Sequence, residues 1–288
     1  MSTLYVVSTP IGNLADLTRR AAEVLAEVDA ILAEDTRRTS ILLQHLELRT
    51  PLLSLHEHNE VNRAAQVLER LEAGDTLALV SDAGTPLVSD PGHRLVAAVV
   101  EAGHRVLPVP GPSAVLAALA ASGLPPVPFA FLGFPPRKGP ERKRLLERVA
   151  QASETTVLFE APGRLVGLLE DLEKACGADR PVAVARELSK VHEEIRRGTL
   201  ADARGYYTGT PPRGEVTLVV GPGGGTEDGD RVGDDETARA LGRSLLAEGE
   251  RPSRAAREVA RQVGIPRNRA YRIVLSLAEG GEGTAEGS

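Results

Sequence analysis

Two carboxylates and two arginines stand close together in AEDTRRT (33–39), where Glu34 and Asp35 precede Arg37 and Arg38 directly after a short apolar run. A carboxylate so placed can orient or deprotonate a hydroxyl, and the guanidinium groups can hold phosphate. By themselves these residues also suit a surface ion-pair cluster at a helix start. SDAGTPLVSDPG (81–92) follows a second apolar run and carries two glycines, two prolines and two aspartates. Glycine lets the backbone approach a ligand closely, and a strand-end carboxylate suits hydroxyls or amines. Asp82, Gly84 and Thr85 are therefore read as ligand contacts, and Asp90 with Pro91 as the capped start of the next helix. HEHN (56–59) offers His56, His58 and Asn59. No third metal ligand accompanies the histidines, so polar substrate contact or loop hydrogen bonding is preferred, and no metal is expected. STPIGN (8–13) is neither G-x-G-x-x-G nor G-x-x-x-x-G-K-[ST], which argues against a dinucleotide fingerprint and excludes a P-loop. GFPPRKGPERKR (133–144) holds five basic residues, Arg137 and Lys138 among them. It reads equally as a loop closing over a phosphate backbone and as a solvated helix start.

The elements that must carry these loops alternate. LYVVS (4–8), AILA (30–33), LLSL (52–55), TLALVS (76–81) and HRVLPV (104–109) read as strands, with helical periodicity between them. Such βαβ order means a largely parallel sheet covered on both faces, with ligands at the carboxyl ends of its strands. A Pro91–Gly103 helix belongs to this half. GLPP breaks the pattern, and a boundary falls around 110–125. Strands follow at 129–134, 155–160, 181–186, 193–198 and 215–220, with helices at 139–151 and 163–175. No helix is expected between the last strands, so this sheet is mixed or antiparallel. The domains are drawn at 1–115, 116–221, a flexible linker at 222–236, a helical basic unit at 237–279 and a disordered tail at 280–288.

The chain has 288 residues, and its net charge of −6 argues against attraction of the whole surface to nucleic acid. Distribution says otherwise: residues 251–277 hold seven arginines and one glutamate. SRAAREVARQVGIPRNRAYRIVLSL (253–277) reads as a helix-turn-helix. Ala255, Ala256, Val259, Ala260 and Val263 face inward on one helix, and Ala270, Ile273, Val274 and Leu277 on the next. Arg267, Arg269 and Arg272 then lie at the exposed start of the second helix, where such modules touch nucleic acid. The plainer alternative is a basic helix pair packed on the rest of the protein. Cys176 is the only cysteine, no run of eighteen apolar residues occurs, and the N-terminus has no signal-peptide pattern. A cytoplasmic protein without a membrane span is expected.

TPIGNLADLTRRA, AEDTRRT, LHEHN, LVSDAGTPLVSDPG, PVPGPSA, FLGFPP, FEAPGRL, ARELSKVHEE and RGEVTLVV occur in this order across about residues 4–220. The ordered set resembles the RsmI family of small-subunit (16S) rRNA (cytidine-2'-O)-methyltransferases, in the tetrapyrrole-methylase-like (class III) S-adenosylmethionine enzymes. The resemblance implies two α/β domains, with S-adenosylmethionine folded into the cleft between them, a small C-terminal all-α helix-turn-helix-like unit, and a homodimer. It places cofactor contacts at Pro10, at Asp82, Gly84, Thr85 and Val88, at Ser113 and Ala114, at Phe159 and Glu160, and near Gly214. It implies 2'-O-methylation of a cytidine in the decoding region, on 16S rRNA or the assembled small subunit. Asp35 is then the first candidate to accept the hydroxyl proton and Glu34 the second. Arg37, His56, Asn59, Arg137, Lys138, Arg267, Arg269 and Arg272 are candidate RNA contacts. FEAPGRL departs from the family pattern at Ala161 and Pro162. Two other functions compete: a same-fold methyltransferase acting on a small molecule such as a tetrapyrrole precursor, and a non-catalytic nucleic-acid-binding protein.

Overall fold

A computed structural model describes residues 2–56, 60–223, 231–265 and 267–279. Strands β1 (Thr3–Val7), β2 (Ala30–Ala33), β3 (Leu52–Ser54), β4 (Leu77–Val80) and β5 (Arg105–Val109) form a sheet ordered β3-β2-β4-β1-β5. Every pairing in it is parallel. Strands β2 and β4 are buried along their whole length, as a sheet covered on both faces requires. Alternate residues divide between two cores. Ile31, Ala33, Ala78 and Val80 meet α1 (Arg19–Glu27) and α2 (Thr36–His45) through Ala21, Val24, Leu25, Leu42 and Leu43. Leu32, Leu77 and Leu79 meet α3 (Glu60–Glu72) and α4 (His93–Glu101) through Val67, Leu71, Leu95 and Val99.

The start of α4 differs from expectation. Asp90 does not cap it. Gly92 occupies the N-cap position at φ +116° and offers no side chain. The cap comes instead from α3: the buried Glu60 carboxylate accepts from Arg94 N at 2.8 Å and Leu95 N at 3.2 Å. A carboxylate at a helix N-terminus satisfies orphan donors and complements the dipole. Asp90 is thereby released from that duty.

Helix α5 (Ala114–Ser122) is capped by Ser113, whose Oγ accepts from Leu116 N at 3.4 Å. It packs Val115, Ala118 and Leu119 on Val157, Ala183, Ala185 and Val219 of a second sheet. This sheet joins β6 (Phe129–Phe131), β7 (Thr155–Glu160), β8 (Pro181–Arg186), β9 (Glu194–Thr199) and β10 (Val216–Val220) in the order β6-β7-β10-β8-β9. Only the β6–β7 pairing is parallel, so the sheet is mixed, one of the two arrangements the sequence left open. Its other face carries α6 (Pro140–Gln151), α7 (Leu165–Cys176) and α8 (Leu200–Gly209). The sequence reading missed α8 between β9 and β10. Only Leu200, Ala203 and Tyr207 are buried along it, and Gly205 and two tyrosines weaken its helical signature. A capping box holds its start: Thr199 Oγ1 accepts from Asp202 N at 3.1 Å, and Asp202 Oδ2 accepts from Thr199 N at 3.0 Å.

Residues 1–223 make one compact unit and residues 224–288 a second. In the second, α9 (Arg231–Ala247), α10 (Pro252–Val263) and α11 (Arg267–Glu279) surround Ala238, Ala255, Ala256, Val259, Ala270, Ile273 and Val274. Helix α9 begins inside the stretch read as linker. Gly264 closes α10 at φ +76°, at the expected turn. The 224–230 part of that linker and the 280–288 tail lie outside the described residues.

Candidate active site

Because the first sheet is parallel, β1, β2, β4 and β5 deliver their trailing loops to one edge. There Thr9 and Gly84 exchange main-chain hydrogen bonds, Thr9 N to Gly84 O at 2.9 Å and Gly84 N to Thr9 O at 3.0 Å. Thr9 Oγ1 also donates to Ser81 O at 3.1 Å. Ser8 Oγ donates to Thr85 Oγ1 at 3.3 Å, and Thr85 Oγ1 donates to Pro112 O at 3.3 Å. The loops after β1, β4 and β5 are thus one fastened wall. Gly84 sits at φ +80°, where an L side chain is strained, and an added Cβ would meet Ile11 Cγ2 at 3.3 Å.

This wall faces the second half of the same unit across a cleft of about 460 Å³. Glu34, Asp82, Gly84, Thr85, Val88, Ser113 and Ala114 line one side, and Phe159 and Glu160 the other. These nine of the expected site residues are brought together. Pro10 and Gly214 are off the wall, but each adjoins a lining residue, Ile11 and Glu215. Gly214 has a further use. A Cβ there would fall 1.7 Å from Glu187 Oε1, so a larger residue would force Glu187 to turn away from its present place on the wall. Glu187 in turn accepts from Lys190 Nζ at 2.8 Å.

Glu34 and Asp35 part company. Asp35 is the N-cap of α2 and is held by Arg37, whose backbone N and Nε donate to its Oδ1 at 2.9 Å and whose Nη2 donates to Oδ2 at 2.6 Å. Those bonds hold its pKa down at about 2. It is not on the cleft wall, and neither is Arg37. Glu34 is on the wall, with its pKa raised by burial and by the nearby Asp82 charge. Asp82 is held in turn: its Oδ1 accepts from Asp35 N at 3.0 Å, and its Oδ2 lies 3.5 Å from Arg38 Nε.

Several lining residues escaped the sequence reading: Ile11, Asp90, Phe134, Glu187 and Glu215 are among them, while Arg38, read with Arg37 as a phosphate-holding arginine, is on the wall. Asp90 titrates at about 6, because burial and the carboxylates of Glu34, Asp82 and Glu215 oppose its ionisation. The repeated Ser-Asp of SDAGTPLVSDPG was the available signal. Glu187 lies within the quoted ARELSKVHEE, but nothing in its spacing marks it. Glu160 is only 1% exposed; its Oε1 accepts from Ala161 N at 2.8 Å. Its Oε2 lies 3.1 Å from Arg164 Nη2 but makes no hydrogen bond of good geometry. His56, Arg137 and Lys138 are exposed and off the wall. Asn59 and the Arg267 and Arg269 side chains lie outside the described residues. Arg272 is exposed on α11. Among the described residues, no group of His, Cys, Asp and Glu could hold a metal ion.

The family profile of the Tetrapyrrole (Corrin/Porphyrin) Methylases matches residues 3–204, and that of the RsmI C-terminal HTH domain matches residues 232–278. The fold is similar to that of a cobalt precorrin-4 methyltransferase, with TM-score 0.59 and 20% identity over 76% of this chain and 94% of that one. It is also similar to uroporphyrin-III C-methyl transferase from Thermus thermophilus complexed with S-adenyl homocysteine, with TM-score 0.55 and 20% identity over 77% and 97% of the two chains. Fold and cleft define the class, a methyltransferase of tetrapyrrole-methylase type. Ribosomal RNA small subunit methyltransferase I of Synechocystis sp. is 47% identical, over 98% of this chain and all (100%) of that one. The protein of the same name from Mesorhizobium japonicum is 43% identical, over 97% and 94% of the two chains. Within the class, this chain belongs to the ribosomal RNA small subunit methyltransferase I family. The resemblance read from the ordered motifs, and its fold, are borne out.

Proposed function

We propose that this enzyme moves the methyl group of S-adenosylmethionine to the 2'-hydroxyl of a cytidine in the decoding region of 16S rRNA, working as a cytoplasmic homodimer on free rRNA or on the assembled small subunit. The cleft suits that cofactor. Its volume of about 460 Å³ lies in the range for small-molecule sites. Ile11, Val88, Leu188 and Phe159 offer apolar walls, and Asp82, Asp90, Glu187 and Glu215 offer acceptors for ribose hydroxyls and for positive charge. Gly84 and the Gly214–Glu187 contact let backbone and carboxylate come close. When bound, the cofactor supplies an activated methyl group. The chain's own work is then to align the 2'-oxygen and take its proton.

Glu34 is the carboxylate we assign to that proton, in preference to Asp35. The observation that carries the choice is orientation: Glu34 faces the cleft, while Asp35 is committed to Arg37 and the α2 cap. The 2'-oxygen gains the methyl group and its hydrogen passes to the Glu34 carboxylate. In the second unit, exposed Arg272 with Arg267 and Arg269 would add affinity for the RNA backbone. Of the basic residues there, Arg254 and Arg261 already pair with Glu250 and Glu258. No described helix is long and apolar enough to cross a membrane.

The test is methyl transfer from labelled cofactor to 16S rRNA, to small subunits and to a tetrapyrrole precursor, with the product mapped by primer extension. A 2'-O-methylcytidine stop in the rRNA is expected. Label appearing only in the tetrapyrrole would overturn the reading.

A further inference from the structure

The chain has four phenylalanines, four tyrosines and no tryptophan. One of these few aromatics, Phe134, is spent on water: it is 55% exposed while also lining the cleft, which places it at the rim. Its ring is not loose. Phe134 packs against Phe159 with ring centroids 5.4 Å apart, and Phe159 packs edge-on against Phe131 at 4.8 Å.

The loop behind it is pinned by two guanidinium groups. Arg164 Nη2 donates to Pro135 O at 2.6 Å, and Arg142 Nη1 donates to Pro136 O at 2.9 Å. Arg142 is anchored by Asp171, to which its Nε donates at 2.8 Å. Arg164 is anchored near Glu160 on the cleft wall. Immediately beyond the two prolines come Arg137 and Lys138, exposed and without an ion pair among the described residues. The rim therefore joins a fixed, half-exposed aromatic ring to adjacent positive charge, beside a carboxylate-lined cavity.

We infer that Phe134 is the platform on which the nucleobase of the methylated nucleotide stacks, with Arg137 and Lys138 taking the flanking phosphates. This rests on RNA being the substrate. A base must leave its neighbours for its ribose to enter a cleft, and unstacked bases are received by rigid aromatic faces beside basic residues. A preset ring loses little freedom on binding, which is the use of the two arginine tethers.

The test uses the full chain and a 16S rRNA fragment bearing either cytidine or an abasic ribose at the methylated position. The wild type is expected to bind the abasic fragment roughly ten- to a hundredfold more weakly. Phe134→Ala should bind the cytidine fragment more weakly by a similar factor, and should lose most of the difference between the two fragments. Phe134→Trp should restore that difference. Because Phe134 also lines the cleft, any affinity for S-adenosylmethionine that Phe134→Ala loses, measured by calorimetry, should be several-fold smaller than its loss of affinity for the cytidine fragment. An abasic penalty as large in Phe134→Ala as in the wild type would overturn this inference alone, as would lost cofactor affinity with RNA binding intact. A wild type that neither binds nor methylates 16S rRNA overturns the substrate reading and this inference with it.

Discussion

The loop after β4 and the loop after β8 solve a similar problem by different means. Each places two non-glycine residues in left-handed conformation beside the cleft: Leu87 and Ser89 at φ +73° and +76°, and Glu187 and Ser189 at φ +50° and +67°. Such conformations are costly for L-residues and persist only where the surroundings impose them. In the first loop the surroundings are the reciprocal Thr9–Gly84 main-chain bonds at the edge of a parallel sheet, backed by the hydroxyls of Ser8, Thr9 and Thr85. In the second, main-chain bonds from Glu187 N to Glu215 O at 3.3 Å and from Lys190 N to Glu187 O at 3.0 Å are joined by side chains: Lys190 on Glu187, the gap left by Gly214, and Glu193 Oε2 accepting from Ser189 N at 2.6 Å. A parallel sheet sends its loops to one edge whatever they contain. A β8–β9 hairpin reaches the cleft only through particular contacts.

The largest effect expected sharpens the role of the first half. Glu34→Gln should lower kcat by about 10²–10⁴-fold, the range for losing a general base, with cofactor affinity little changed. Asp35→Asn should cost far less, and its loss should show mainly as weaker thermal stability in the α2 cap. Single-turnover methyl transfer distinguishes them; a larger loss in Asp35→Asn would reverse the assignment.

Next, matched glycine replacements compare the two loops directly. Gly84→Ala and Gly214→Ala share a left-handed backbone penalty of about 1–2 kcal/mol. Gly214→Ala alone must also expel Glu187, since its Cβ would lie 1.7 Å from Oε1 against 3.3 Å from the Ile11 side chain at Gly84. It should therefore lose more stability in urea unfolding and bind S-adenosylmethionine more weakly. Equal losses would break the contrast between the two loops.

A smaller effect concerns pH. The folded pKa of Asp90, about 6, stands above its ordinary value of 3.8. The folded protein then holds the extra proton between those values, so this group's contribution favours folding at low pH and is lost as pH rises through about 6. Asp90→Asn should remove that fall and raise the melting temperature at neutral pH relative to wild type. A melting curve with unchanged pH dependence would show that neither burial nor the neighbouring carboxylates oppose ionisation of Asp90.

The smallest effect belongs to the second unit. Arg272→Ala should weaken rRNA binding modestly and reduce the slope of log affinity against log salt by about one. Its cofactor affinity should match the wild type. An unchanged salt slope would remove Arg272 from the RNA-facing surface.

Both sheets, the cleft-facing strand ends and the basic helices of the second unit were legible in the sequence, because each is written in local periodicity and punctuation. Helix α8 was not, since its few apolar residues and its glycine dilute the helical period, although its Thr199–Asp202 capping box was there to be read. Which of two adjacent carboxylates serves the cleft was also beyond local reading. Glu34 and Asp35 differ by one step at a strand end, and the Arg37 clasp turns Asp35 to the helix.

Asp90 carries the same lesson over a longer distance. Its sequence setting is that of a helix cap, and only the arrival of Glu60 from α3 frees it to face Glu34 and Asp82. By itself the sequence determined the order of the strands and of the helices other than α8, and the loops that gather at the parallel edge, since those follow from nearest-neighbour patterning. The tertiary structure alone decided which carboxylates ionise against one another in the cleft, because a side chain's duty depends on which donors reach it, and those donors come from elements distant in the chain.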